Sequence, residues 1–496
     1  MTKLFPAFSR LIQLPLKYAG QAFWTVSDAL IYPILLLIAT PFFISHLGVE
    51  DFGYWMLINS VIAGLGVLNF GMSESVIKFV SEFSREDQRD TQIHLVNSIT
   101  ALQNRLSIVI LGVFILSGIV VLPFVLTGTG EAPVWVTLGV MTLIIFLLRL
   151  YEQLFVAIYK GIERYEMASK WTIASKLSQL IVQMVALTFH ADLVWIFSFA
   201  LGAAGFFVIA EWKKLKKDYP RFHLMSWSVD QESMKKVLGF SLWSWGQSIS
   251  GIIASQADRY IVAAVGGIQT FTFYSIGQMV ASQFHSLFSS AVTWIFPKIS
   301  RKSANQEGME LAYRKLQAWV VGAGLAGLLI FYWLSEWLIA LWLPADVYAN
   351  SLVYVHLFIV YAGFSITSII PFYFMNGAGL VKLNTLSGLS GIALSAVTMP
   401  IGYWIAGPSG FVYGRYLVPL LIGSVTRTVL HQRLFNISNW YSGTTLLAPS
   451  VFFAVVILLN DPVLKMVSAL LIPVVFYFSY LLPLNGASRK AVSVHE

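Results

Sequence analysis

The sequence predicts an all-α polytopic membrane protein of about fourteen transmembrane helices: two sets of six that repeat each other in parallel, then two more. Three observations predict it. The chain is 57% hydrophobic and only 11% charged over 496 residues, with a mean hydropathy of +0.73. A soluble domain carries about 25% charged residues, so too little polar surface exists here to cover a water-soluble fold. Apolar runs of the roughly 20 residues needed to cross a bilayer recur from end to end, and the short alternating strands of a β-barrel are absent. Finally, a shift of 219 positions carries Gly48 onto Gly267, Phe52 onto Phe271, Tyr54 onto Phe273 and Trp24 onto Trp243.

In order, the first six spans are expected at 19–45, 53–77, 98–125, 132–157, 168–189 and 192–211, within a bundle covering 1–211. The stretch 212–236 ("WKKLKKDYPRFHLMSWSVDQESMKK") is polar and basic, as a connector between bundles should be. The second six follow at 237–264, 268–296, 317–342, 352–377, 382–406 and 409–430, within 237–434. Two additional spans, 441–460 and 463–483, lie in 435–496. An even number of spans between the copies puts both in the membrane the same way up, an arrangement used for alternating access.

Lys and Arg favour cytoplasmic loops. With both termini inside, Lys3, Arg10, Lys78, Arg85, Lys160, Arg164, the connector, Lys298, Arg301, Lys382 and Arg433 all fall on that side. The outer loops, such as "SHLGVED", "GGIQT" and "AGPSG", are short, and Lys465 breaks the pattern. The net charge of +8 is therefore a topology signal and gives no reason to expect nucleic acid as a partner. No cleavable signal peptide is expected. Cysteine is absent, which excludes disulfides and thiolate metal sites. No extramembrane segment is long enough to fold alone, which argues against a polytopic glycan ligase or polymerase, and no enzyme activity is expected.

A charge at the bilayer centre costs about 2.5–3.5 kcal/mol, so charges inside spans are candidate functional residues. They are Asp28, Arg149, Glu152, Asp258, Arg259, His285, Glu336, His356 and Arg415, with Arg105 and Lys176 nearer the inner interface. Asp258 and Arg259 are adjacent, so they point about 100° apart on a helix. Arg259 either snorkels to the outer surface or faces a wet interior; Asp258 is too short to snorkel. Arg149 and Glu152 share a face at i,i+3, as a buried ion pair or as a cation with its positioning acid. Cations outnumber acids at membrane depth, which would suit an anionic group such as phosphate. Arg149, Arg259, Lys176, Arg105 and Arg415 are thus candidate substrate-binding cations, and Asp28, Glu152 and Asp258 candidate coupling or cavity acids. Asp28 lies just before Pro33, where protonation or sodium binding would bias a bend. His285 and His356 read as bundle histidines or as relay groups. "GAGLAG" (Gly322 to Gly327) fits a dinucleotide fingerprint literally, but no strand precedes it, and small residues for close helix packing explain it. No metal ligand set and no cofactor is expected beyond H+ or Na+ as a coupling ion.

Four stretches together carry a resemblance. They are "LGVEDFGYWMLINSVIAGLGVLNFGMSESVIKFVSE" after the first span, Asp258 to Ile261 in the seventh, "FTFYSIGQMV" after its glycine pair, and "FPKISR" (Phe296 to Arg301). The sequence resembles the polysaccharide-transport branch of the multidrug/oligosaccharidyl-lipid/polysaccharide (MOP) exporters, in particular the O-antigen flippases. The resemblance implies two six-helix bundles around a central cavity and a protein of the bacterial cytoplasmic (inner) membrane. It also implies translocation of an undecaprenyl-diphosphate-linked oligosaccharide, in lipopolysaccharide biosynthesis or a similar pathway. Partners would be that lipid-linked oligosaccharide, membrane lipids and the polymerase and chain-length proteins of the same pathway. Trp24, Trp243, Trp245 and Tyr274 are candidates for stacking on sugar rings. A cation-coupled drug exporter of the same fold and a peptidoglycan-precursor flippase are the alternatives.

Overall fold

The computed structural model describes residues 16–83, 89–126, 132–189, 192–227, 231–292 and 306–435, together with Ala454. Every regular element among these residues is helical. In chain order they are α1 (Leu16–Gly64), α2 (Met72–Glu82), α3 (Arg89–Leu126), α4 (Ala132–Gly161), α5 (Tyr165–Phe189), α6 (Leu193–Asp218) and α7 (Gln231–Val292). Then come α8 (Gln306–Trp342), α9 (Ala345–Ile366), α10 (Ile369–Gly377), α11 (Val381–Ala406), α12 (Gly410–Leu417) and α13 (Gly423–Phe435). Among the described residues nine helical stretches are long and apolar enough to cross a bilayer. Three of them, Ile31–Asn69, Gly251–Ser289 and Lys382–Phe435, each run through two expected spans. The last two expected spans, 441–460 and 463–483, lie outside the described residues apart from Ala454. The chain is a multi-pass membrane protein of all-α class.

Two compact units divide the chain. The first comprises Met1–Asp51 with Ile58–Ile252, the second Phe52–Leu57 with Ile253–Glu496. In the first, α4 packs against α2, α5 and α6. Its core gathers Val76 and Phe79 of α2, Val96 and Ile99 of α3, Phe155 and Tyr159 of α4, and Leu215 of α6. Asp192 caps α6, its carboxylate accepting from the Val194 amide at 2.8 Å. The chain after α6 is stitched to α3 by side-chain amides. Asn97 donates to the Arg221 carbonyl at 3.0 Å and accepts from the His223 amide at 2.9 Å. Asn104 donates to the carbonyls of Leu224 and Ser226, at 3.0 Å each. The Arg221–Asp90 pair nearby (2.7 Å) is exposed on both sides, so it contributes only about 0–1 kcal/mol. The amide bonds hold the connector.

In the second unit α8 packs on α9, and α11 on α12. A Cβ at Gly324, within the "GAGLAG" run, would sit 2.8 Å from Ile366. The run is a helix-packing surface. Gly402, Gly410 and Gly414 let α11 and α12 touch backbone to backbone: Cβ atoms at Gly410 or Gly414 would collide with main chain of the facing helix. Thr398 Oγ1 seals this contact by donating to the Gly414 carbonyl at 2.8 Å. A π-helical turn, Val418–Ile422, follows α12 and contains Pro419.

The internal repeat is visible in the backbone. Gly48 adopts φ 75°, ψ 177° inside α1, and Gly267 adopts φ 77°, ψ 171° inside α7. Essentially only glycine occupies that region. Phe52 and Phe271, matched by the same shift, are both fully buried. At Gly267 the chain reverses. In a straight helix residues 258 and 274 would be about 24 Å apart at 1.5 Å per residue, yet their side chains are hydrogen-bonded at 2.8 Å.

Gly48→Ala and Gly267→Ala should each destabilise the protein by about 1–3 kcal/mol, the strain of a side chain in that region. Gly112→Ala, where a Cβ meets nothing within 4 Å, should leave stability unchanged or raised. Melting temperatures in detergent check the three variants.

Candidate functional site

The reversal at Gly267 explains the two adjacent charges in α7. Asp258 is only 3% exposed, and the returning arm supplies its donors. The Tyr274 hydroxyl donates to Asp258 Oδ2 at 2.8 Å, and Gln278 Nε2 donates to the same oxygen at 2.7 Å. Gln278 Oε1 accepts from Arg259 Nε at 2.9 Å. One glutamine thereby serves both members of the pair, which need not touch each other.

Arg415 of α12 completes the network. Its Nη1 forms an ion pair with Asp258 Oδ2 and donates to the Tyr274 hydroxyl at 2.9 Å. Its guanidinium lies 4.6 Å from the Tyr361 ring centroid and 5.9 Å from that of Phe358, both on α9. These ring faces add cation–π attraction. The backbone contact between α11 and α12 fixes the helix that carries Arg415. Arg259, Arg415 and Asp258, expected separately as cavity cations and a cavity acid, are brought together here with the acid already neutralised. Tyr274, expected as a stacking platform for sugar, has no exposed face. Its ring is held edge-on by Phe358 (4.8 Å, 78°) and Tyr354 (6.2 Å, 71°), and its hydroxyl links the ions.

In the first unit a second set of expected residues converges. The Lys176 ammonium lies 5.9 Å from the ring centroid of Tyr32, and Arg149 of α4 is the charge acting on that same tyrosine. Glu152 stands one turn beyond Arg149 on α4. Trp24, half-buried, stacks under the Lys170 ammonium at 5.1 Å, which also pairs with Glu166 at 2.5 Å. Arg105 takes another role: it is exposed and its Nη2 donates to the Trp227 carbonyl at 2.9 Å, helping to hold the connector. Trp245 is committed as well, its Nε1 donating to the Val67 carbonyl at 2.6 Å and its ring 4.8 Å from Phe70. The side chains of Asp28 and Trp243 lie outside the described residues.

Of the remaining intramembrane candidates, His356 Nε2 meets Ser335 Oγ at 2.9 Å beside the Tyr332 ring, as a bundle histidine does. Glu336 is exposed. His285 lines a cavity of about 300 Å³ with Asn384, Thr426 and Arg427. Arg427, 1% exposed, donates to Thr367 Oγ1 at 2.6 Å and Ser368 Oγ at 3.3 Å. Sequence reasoning missed Arg427 and also Glu211 of α6, which is fully buried. Each stands in the last turns of its span beside further basic residues, where a charge reads as interfacial. In the first unit an apolar groove of about 550 Å³ runs between α1, α3 and α4, lined by Leu65, Val109, Val113, Phe114, Trp135 and neighbours.

Arg415→Leu should destabilise the protein by about 3–5 kcal/mol, because it leaves the Asp258 charge buried without its ion partner. The double variant Asp258→Asn/Arg415→Leu should recover a large part of that loss. Detergent melting curves for the two single variants and the double complete the cycle; strictly additive effects would exclude the pairing.

The family described as polysaccharide biosynthesis protein matches residues 19–303. No curated protein matches the chain. Among solved structures, a multidrug resistance MATE transporter of the MOP superfamily, inward-facing, superposes with a TM-score of 0.62 at 16% identity, covering 84% of this chain and 94% of that one. The lipid II flippase MurJ, inward closed, gives a TM-score of 0.59 at 13% identity, covering 93% and 97%. The MATE transporter VcmN of Vibrio cholerae gives 0.55 at 14%, covering 85% and 98%. These likenesses establish the fold. The family match spans more than half of the sequence, and the protein belongs to the polysaccharide biosynthesis protein family.

Proposed function

We propose that this transporter is a flippase for an oligosaccharide carried on undecaprenyl diphosphate, moving it between the leaflets of the bacterial cytoplasmic membrane by alternating access. A glycan and its diphosphate cannot enter hydrocarbon, whereas the polyprenyl tail can stay in it. The observation that carries this reading is the Lys176 ammonium over the Tyr32 ring, with the Arg149 charge acting on the same tyrosine, within the stretch matched by the family. Two cations acting on one aromatic residue suit a diphosphate joined to a sugar. Trp24, beside Lys170, extends the same chemistry along α1. The likeness in fold to a lipid II flippase supports a lipid-linked glycan as cargo.

The O-antigen repeat unit, both termini on the cytoplasmic side and work beside a polymerase and chain-length protein belong to this proposal, as does the absence of any bond-making step. The second reading, a cation-coupled exporter of small molecules, is favoured by the likeness in fold to the MATE transporters. It would require an acidic binding region, and the network around Asp258 is instead neutralised by Arg415.

A strain lacking the protein should accumulate lipid-linked repeat units on the inner leaflet and lose surface glycan. Accumulation on the outer leaflet would point to a later step and defeat the reading. Arg149→Ala and Lys176→Ala should each lower glycan display by about tenfold at normal protein levels, the worth of one charge-assisted hydrogen bond of about 1.5 kcal/mol. Quantified surface glycan against membrane protein abundance measures both.

A further inference from the structure

Glu211 is an acid in a place where an ionised acid has nothing to hold it. It is fully buried in α6, and neither of its carboxyl oxygens makes a hydrogen bond. Removing a carboxylate from water without donors is strongly unfavourable, whereas a neutral carboxyl tolerates it far better. The charged group acting on it is another acid, Glu152 of α4, and neighbouring like charges disfavour double ionisation. A second group points the same way. Tyr159 of α4 is fully buried, its hydroxyl makes no hydrogen bond, and Glu211 and Asp218 are among the charges it senses.

The surrounding charges do not compensate Glu211. Asp218, at the end of α6, takes up Arg164 and Lys214, each at 3.5 Å. Tyr159 also senses Tyr219, which adds no positive charge, and Arg164, whose guanidinium is the one shared with Asp218. On α5, which packs against α6, the Lys170 ammonium pairs with Glu166 and the Lys176 ammonium lies over Tyr32. Among the described residues no group of three or more His, Asp or Glu is placed to hold a metal ion.

We propose that Glu211 is a proton-binding site of the first unit. Its carboxyl holds a proton while α4 and α6 are packed together, and releases it when the helices part and water enters. The O–H bond then breaks, its electron pair stays on the carboxylate, and the proton passes to the entering water. Glu152 and Tyr159 are positioning residues that set how readily this happens. That the proton drives transport rests on the flippase reading above.

Infrared difference spectroscopy of the full-length protein in lipid vesicles tests the site without any substrate. The wild type should show a neutral-carboxyl absorption at neutral pH that shifts on ¹³C-glutamate labelling and disappears on alkaline titration. Glu211→Gln should lack it and Glu336→Gln, at an exposed acid, should keep it. Absence from the wild type overturns the proposal even if the variant fails to fold, and so does persistence in Glu211→Gln. Replacing potassium with sodium at constant pH should change nothing; a sodium-dependent loss would assign the site to an alkali cation instead. In cells, Glu211→Gln made at normal levels should lose surface glycan, and full display would overturn the coupling role. If a strain without the protein keeps its glycan, the flippase reading fails while the spectroscopic result stands.

Discussion

Hydrocarbon offers no hydrogen bonds, so every charge in a membrane helix must find its partners within the protein. The reversal of α7 at Gly267 answers that demand for Asp258. It returns Tyr274 and Gln278 to the carboxylate, and Gln278 also reaches Arg259. Arg415 then supplies the opposite charge. The conformation at 267 is one that a residue other than glycine adopts only under strain. The network is thus a product of one backbone conformation before it is a product of any side chain.

The two units use their charges differently. In the second, phenol, amide and guanidinium converge on one oxygen of the Asp258 carboxylate inside a collar of aromatic rings. Such a set specifies one packing and is strongly destabilised by loss of a single member. In the first, Lys176 lies over the Tyr32 ring and the Arg149 charge acts on the same tyrosine, while Glu211 is buried with its oxygens outside any hydrogen bond. An electrostatically closed region is suited to holding shape, and an electrostatically open one to meeting ions.

Much of the fold was legible in the sequence because hydropathy and glycine placement are local. The apolar runs announced the helices, and the shift that matched Gly48 to Gly267 proved to match two residues of nearly identical backbone angles. The oddity of Asp258 and Arg259 was also plain. Their partners were not. Arg415 is remote in sequence, and a lone arginine carries no address. Tyr274 looked like a platform for sugar because its ring chemistry is the same inside or outside; only packing decides. Glu211 was hidden by the basic run that follows it, which made the last turns of α6 read as loop. The roles of Arg105 and Trp245 depended on backbone carbonyls, which no side-chain pattern reveals.

The order in which these partners are made has a consequence for biogenesis. Arg415 follows Tyr274 by 141 residues, so at about 5–20 residues per second it leaves the ribosome roughly seven to thirty seconds after Tyr274. During that interval Asp258 must be accommodated without its counter-ion. The phenol and amide on the adjoining arm are the donors at hand, letting the nascent hairpin settle among lipids before its arginine exists.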